Sequence, residues 1–426
     1  MKIAIIGTGI AGNAASWLLN QSHDITVYEQ NDYIGGHANT IDGGAAHKPV
    51  DTGFIVYNEW TYPNLIALFA HLGVKTEKTN MSLAVSVDNG RLEYSGNSIF
   101  GQKKNILNPR FYLMLLDLVR FYKSAPKFLE NQEDDMSLGD YLKKKRYSKT
   151  FIEDHLLPMA AAIWSTSADD IRHFPARSFI RFFVNHGLFL LKNRPQWWTV
   201  TGGSRQYVDI LTASFKDKIK VNAEVTSVER KDDGVNVTDS NGDVQTYDHV
   251  VMASHADESY RMLTNKTTEE KAVLAAFPYG ENVAYLHSDE TYMPKGRRMW
   301  SSWNYLATND DNRVSVTYWM NRLQPFLPSE KQLFVTLNPL SPPDPQKTIK
   351  VQTYQHPQYL MSAIEGWPKI KTIQGKDRVW FCGAWCGYGF HEDGVSSGLA
   401  VAEALGGLKR PWDIQEKSPA GLNAKP

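Results

Sequence analysis

Three short stretches of this 426-residue chain combine residue types that can do chemistry. The first is Gly7-Thr8-Gly9-Ile10-Ala11-Gly12, set between the apolar run Ile3–Ile6 and a helix-like segment ending at Leu19. Gly7 permits a tight turn, Gly9 lets backbone approach a pyrophosphate, and Gly12 lets helix and strand pack closely. The helix start at Ile10 and Ala11 then offers free N–H groups and a positive dipole end to phosphate. Glu29-Gln30 ends the next apolar run about 20 residues on, where a carboxylate accepts from ribose hydroxyls and repels a 2′-phosphate. The second stretch is His391-Glu392-Asp393, followed by Gly394 and Val395. Such a cluster can accept or deliver a proton; its acids can equally cap a helix by taking up free amides. The third is the pair Cys382 and Cys386, readable as a redox pair or as two unpaired buried thiols. The twelve histidines are scattered without ligand-like spacing, so no metal set is expected.

The elements that must position these residues are a strand, glycine turn, helix, strand and acid in that order, the pattern of a dinucleotide-binding βαβ unit. The chain is long enough for two domains with separate cores. Its 42% hydrophobic and 22% charged residues fit a soluble globular protein. Basic and acidic residues balance at 46 each, which offers no nucleic-acid surface. The first strand begins at residue 2 and no apolar run is long enough to span a bilayer, so a cytoplasmic location is expected. Residues from about 80 to 200 read as amphipathic, aromatic-rich helices (105–129, 151–164, 178–191), which could line an apolar channel or lie on a membrane surface. Residues 201–262 return to strands, with a hairpin at Asn241-Gly242 and a buried strand at 249–254. From about 267 to 364 short strands dominate, rich in aromatics such as Trp303 and Tyr305. Near the end, a strand at 378–382 enters the loop Gly383–Gly394, and a helix runs from Val395 to Leu405.

The βαβ unit, Glu29, the double glycine Gly35-Gly36 and Asp51-Thr52-Gly53 together resemble the flavin-containing amine oxidase and phytoene desaturase superfamily. His37 stands where that group usually has arginine; an imidazole can still donate to phosphate. The strand ending in Gly383, its loop and the helix from Gly394 resemble the superfamily's C-terminal flavin segment. The resemblance implies an α/β fold: a discontinuous FAD-binding domain of glutathione-reductase type (1–78, 201–262, 369–410), a substrate domain with a helical part (79–200) and a sheet part (263–368), and a tail (411–426). It implies FAD as cofactor, held by Gly7, Gly9, Ile10, Ala11, Gly12, Glu29, Gln30, Gly36, His37, Thr52, Gly53, Phe54, Val225, Ala253, Gly383, Asp393, Gly394 and Val395. It places His391 and Glu392 where they could carry a proton, and Trp303, Tyr305, Trp385, Tyr388 and Phe390 along the substrate. The cysteines and His37 leave a covalent flavin link open.

The segment Gly389–Gly394 and Trp303-Asn304-Tyr305 resemble one subgroup, FAD proteins associated with cyclopropane-fatty-acyl-phospholipid-synthase-like methyltransferases. That implies two-electron dehydrogenation of a fatty acyl or other lipid chain by hydride transfer to flavin N5. It also implies a small lipid partner, no nucleic acid, and peripheral contact at the inner membrane face. The alternative is an amine oxidase, which would carry a lysine holding a water at N5. Lys295, Lys331, Lys347 and Lys350 lie in the right half of the chain, none in a convincing motif. A third reading is a non-catalytic flavin or lipid-binding module.

Overall fold

In the computed structural model, residues 1–44, 48–130, 136–164, 168–190, 192–308 and 311–414 are described. The continuous apolar run of the first strand (Lys2–Ile6) demands burial on both faces, and it forms the centre of a parallel five-stranded sheet. Strand Asp24–Tyr28 and then Ile219–Lys220 lie on one side of it; His249–Met252 and then Val379–Phe381 lie on the other. Chain order reverses at the first strand, so a crevice opens at its carboxyl end, above Gly7.

Two helices close over that end. The opening helix (Ile10–Leu19) is rich in alanine, and the closing helix (His391–Gly406) lies against it. The contact is backbone to backbone: a Cβ on Gly398 would sit 2.2 Å from the carbonyl oxygen of Ala11, and one on Gly394 would sit 2.7 Å from the Ile10 side chain. Their N-termini are therefore held close together at the crevice.

The rest of the chain builds around this unit. A three-stranded antiparallel sheet (Val225–Arg230, Val235–Asp239, Val244–Tyr247) contains the expected Asn-Gly hairpin, with Gly242 at φ 85°. A seven-stranded sheet gathers Thr348–Pro357, Tyr279–His287, Phe334–Leu337, Asp311–Trp319, Trp303–Thr308, Leu83–Val87 and Leu92–Ser95, in that order. Its last two strands lie inside 79–200, the block expected as the helical part of the substrate domain. Leu83-Ala-Val-Ser-Val pairs in parallel with the strand from Trp303, and a tight turn at Asp88-Asn89-Gly90, all at positive φ, sends the chain back as Leu92–Ser95. Trp197–Val200 is also a strand, paired with Tyr57–Asn58 and Thr76–Thr79. Helices do fill the remainder of this block, from Pro109–Phe128 to Ala176–Asn185, around a core of Phe111, Phe121, Phe151, Phe179 and Phe183.

Of the expected tail, Trp412 stacks on Trp17 of the opening helix (5.9 Å), while residues 415–426 lie outside the described part. Among the described residues no helix is long and apolar enough to cross a membrane.

Candidate functional site

The glycine turn has the shape that phosphate requires. Gly7 adopts φ 107°, and a Cβ there would lie 2.8 Å from the Ala253 carbonyl oxygen. Ala253 also backs the turn from below, its Cβ 3.1 Å from where a Gly12 Cβ would be. Gly9 faces the opposite way: a Cβ there would meet nothing within 4 Å. A diphosphate could therefore approach this backbone and the amides at the start of the opening helix. Gly36 closes the cradle, its Cβ direction 3.2 Å from Gly9 Cα.

Glu29 is buried and already carries four donors. Its Oε2 accepts the Thr8 N–H (3.1 Å) and hydroxyl, and its Oε1 accepts the Asn31 N–H (2.9 Å) and side-chain amide (2.8 Å). Those bonds staple the glycine turn to the end of the second strand. A ribose hydroxyl reaching this carboxylate would replace the Thr8 or Asn31 side chain. Residues Asn222 and Ala223, just before the strand that opens at Val225, bond back to the carbonyls of Asn31 and Glu29. Gln30 is exposed at the strand end.

His37 is half-buried, and its Nε2, itself out of reach of solvent, has no hydrogen-bond partner among the described residues. This is the orphaned polar atom that a cofactor phosphate or hydroxyl would satisfy. The ring lies 5.0 Å from Tyr354 and 5.2 Å from His356, on the edge strand Thr348–Pro357. Burial, with His356, His255 and His391 nearby, holds its proton affinity well below the ordinary value. Its carbonyl oxygen accepts the Phe54 N–H (2.7 Å), and Gly53 presses against that same carbonyl. Thr52 bonds Tyr354 Oη at 2.6 Å. Tyr354 and His356 were not singled out in the sequence, although their i, i+2 spacing on one strand face was available. Asp51 was quoted only as part of a motif, yet it is a buried hub. It takes bonds from Thr40, the Ser204 N–H and hydroxyl, and Gln324, joining three distant segments.

The closing helix starts at His391, four residues before the expected Val395, because its acids do the capping. Asp393 accepts the Phe390 N–H at 2.9 Å. Glu392 reaches across to another helix, Pro63–Leu72, and accepts the Asn64 and Leu65 amides (both 3.0 Å) and the Asn64 side chain (2.8 Å). Of the two roles the sequence left open for these acids, the geometry displays capping. Ser397 fastens the loop, bonding the Gly383 N–H (3.1 Å) and carbonyl (3.0 Å), and Val395 is fully buried between the helices. His391 stacks on Phe54 (3.7 Å between centroids), and its Nε2 lies 3.0 Å from Tyr207 Oη. Burial pushes His391 down to about 3, so the ring is neutral.

The five expected substrate-lining aromatics part company. Phe390 stacks on Phe182 (5.4 Å), which also meets Tyr388 (5.7 Å) and His186 (3.9 Å). Beside them is a small apolar pocket lined by Phe179, Ile364, Trp367, Tyr388 and the unpartnered, buried Tyr359 hydroxyl. Trp385 is not part of this wall: it is 1% exposed, packs on Phe277 and donates to the Ser254 carbonyl, filling space beneath the loop. Trp303 packs edge-on against Tyr318 within the large sheet, and Tyr305 is core. The four lysines also lie elsewhere; Lys295, Lys347 and Lys350 are exposed, and Lys347 pairs with Asp289 (3.2 Å). Cys382 is buried, and burial pushes its thiol up to about 12 and raises that of Cys386 well above its ordinary value, so both stay protonated and unpaired.

Burial of ionisable groups predicts a pH dependence. His37, His155, His186, His287, His356 and His391 are all held below their ordinary value, to about 3 or 4 where a figure can be set. Between about pH 4 and 6.5 the unfolded chain binds protons there that the folded chain refuses, so stability rises with pH. Asp51, Glu392 and Asp393, raised to about 6, 7 and 7, act in the opposite sense between about pH 4 and 7. His249 is lowered and Asp154 raised in the same way, so seven groups stand against four, and the urea midpoint is expected to be higher at pH 6.5 than at pH 5. A midpoint that is flat or falls over that interval would show that the histidines are not excluded from protonation.

The family model described as flavin containing amine oxidoreductase matches residues 10–406. Among curated proteins, the "Putative flavin-containing monoamine oxidase AofH" of Mycobacterium tuberculosis is 25% identical over 263 residues, 58% of this chain and 55% of that protein. The dog protein "Amine oxidase [flavin-containing] A" is 23% identical over 270 residues, 59% of this chain and 49% of the other. The match thus spans about half the length of these relatives. Among solved structures, cyclohexylamine oxidase from Brevibacterium oxydans superposes with a TM-score of 0.68 at 17% identity, covering 95% of this chain and 99% of the other. A fatty acid isomerase from P. acnes that produces CLA superposes with a TM-score of 0.67 at 15% identity, covering 95% and 97%.

Proposed function

Because this chain belongs to the flavin-containing amine oxidoreductase family, we propose that it is an FAD-dependent oxidoreductase that withdraws two electrons from a carbon of an apolar, acyl-chain substrate. When bound, the flavin would supply two-electron redox chemistry. This chain's residues supply the rest. The Gly7–Gly12 turn, Gly36 and the His37 Nε2 are placed to hold the diphosphate part. The N-terminus of the closing helix, at His391 just before Gly394 and Val395, is suited to stabilise negative charge developing on the ring edge. Phe390, Tyr388 and Phe182 exclude water and orient an alkyl chain. His391, neutral and hydrogen-bonded to Tyr207, is the remaining proton-handling group; Glu392 is reserved for capping.

The observation that carries the substrate class is the uncharged wall beside the start of the closing helix: Phe182, Tyr388, Phe390 and Trp367, with His186 held neutral by burial. The resemblance of Gly389–Gly394 to the methyltransferase-associated subgroup supports the same choice. A fatty acid isomerase of the same fold supports it only at the level of architecture. The second reading, an amine oxidase, draws on the names of the curated relatives. An amine bound as the free base would also tolerate a neutral wall, but the N5 lysine has no counterpart among Lys295, Lys331, Lys347 and Lys350.

Anaerobic titration separates these readings. The flavin absorbance of purified holoprotein is expected to bleach with phospholipid or fatty acyl substrates and to stay unchanged with primary and secondary amines. Bleaching by an amine alone would replace the proposal with the second reading. A flavin that dithionite reduces and no substrate of either class touches would favour a non-catalytic module.

A further inference from the structure

We propose that the exposed face of helix Pro109–Phe128, with the helical turn Lys103–Leu107 before it, docks this protein on an anionic lipid bilayer surface. The helix is held from beneath by Phe111, Met114, Phe121 and Ala125, so its other face has no place in the core. That face is apolar: Leu107 is 87% exposed, Leu116 69%, Ile106 48% and Leu113 47%, with Tyr112, Val119 and Phe100 completing the patch. These side chains form one surface. The Tyr112 hydroxyl donates to the Ile106 carbonyl (2.9 Å), pinning the turn to the helix, and Phe100 packs on the Tyr112 ring (6.0 Å).

Charge identifies the occupant. From Phe100 to Leu129 there are six basic residues (Lys103, Lys104, Arg110, Arg120, Lys123 and Lys127) against one acid, Asp117, in a chain whose overall charge is zero. All six are exposed, whereas Asp117 is buried and taken up by Arg120 (2.9 Å) and the Ser148 N–H (2.7 Å). The patch therefore presents aliphatic and aromatic side chains inside a positive rim. Protein–protein interfaces are depleted in lysine, whereas helices that lie in a lipid interface combine such a rim with Leu and Phe, the lysine stems snorkelling to the headgroups. Glu130 sits past the helix end, so the first turns, where the exposed leucines crowd, would enter deepest. This placement does not rest on the substrate reading above.

The test is co-sedimentation of the full-length flavoprotein with vesicles of phosphatidylcholine alone or mixed with phosphatidylglycerol. Binding is expected to the mixed vesicles, to weaken with added salt, and to fall by about tenfold or more in Leu107→Glu/Leu116→Glu and in Lys123→Glu/Lys127→Glu. All four positions are exposed, so thermal unfolding and flavin content should match the parent protein and confirm that each variant folds. Three results would overturn the proposal: no binding to mixed vesicles, unchanged binding by the leucine variant, or a parent dimer that this variant converts to monomer. The last would make a second copy the occupant of this face.

Discussion

Gly398→Ala is expected to destabilise the protein by about 3 kcal/mol and to yield chain largely free of flavin. The added methyl would fall 2.2 Å from the carbonyl oxygen of Ala11 and 2.9 Å from its carbon. Both obstacles are backbone, which cannot rotate aside, so relief must come from moving one helix off the other. Overpacking ordinarily costs about 1–3 kcal/mol, and a backbone clash belongs at the top of that range. The helices whose N-termini flank the crevice would separate, and cofactor retention would go with them. Gly9→Asp is the informative companion. A Cβ at Gly9 meets nothing within 4 Å, so the fold should persist while a carboxylate stands where phosphate belongs. A like charge about 4 Å away costs about 4 kcal/mol near a protein surface, enough to weaken FAD binding more than a hundredfold. Urea unfolding and the ratio of flavin to protein absorbance separate the two outcomes. A yellow, normally stable Gly398→Ala protein would mean that the two helices are not in contact as described. A yellow Gly9→Asp protein would move the diphosphate away from this turn.

Glu392→Ala should also cost about 3 kcal/mol, and for a reason unrelated to proton transfer. Its carboxylate accepts two backbone amides and one side-chain amide at the start of helix Pro63–Leu72. Loss of a cap costs about 1–2 kcal/mol, and leaving buried donors without an acceptor adds to it. The damage should spread, because Asn64 also receives Arg410 Nη1 (2.7 Å), and Arg410 is clamped by Glu403. Glu392→Gln keeps one acceptor oxygen and should lose roughly half as much. The decisive readout is the pH profile of anaerobic flavin reduction, measured on variant that retains cofactor. A capping residue lowers the unfolding midpoint and leaves the shape of that profile alone. An unaltered midpoint with a lost ionisation in the profile would return Glu392 to the role of proton carrier.

The parts of this architecture that were legible are those whose reason is local. Ile3–Ile6, the glycines, the alanine-rich helix and Glu29 announce one another within thirty residues, and the strand at 379–381 with its following helix does the same. The helix boundary at His391 was readable in principle, since Asp393 stands three residues beyond Phe390, but the flanking Gly389 and Gly394 suggested a loop. The hairpin Leu83–Ser95 was passed over because two short strands look like nothing until the strand from Trp303 pairs with them. The partners of His37 were invisible for a different reason: Tyr354 and His356 arrive from the far end of the chain, on a strand of another sheet. Aromatic content pointed to an apolar chamber, yet could not divide Phe390 and Tyr388, which share a wall with Phe182, from Trp385, which seals the loop from within.

The pairing of the two glycine-contact helices has a further consequence, on the ribosome. The first strand and helix are made long before strand 379–381 and helix His391–Gly406, which cover them. At about 5–20 residues per second, the opening helix waits roughly 20 to 80 seconds for its partner. Throughout that time the buried faces of Ala11, Ala14 and Leu18 lack Leu399 and Ala402, with which they share a core. The cofactor crevice cannot be completed by any nascent chain shorter than about the full domain. Cofactor uptake is therefore expected to await synthesis of helix His391–Gly406.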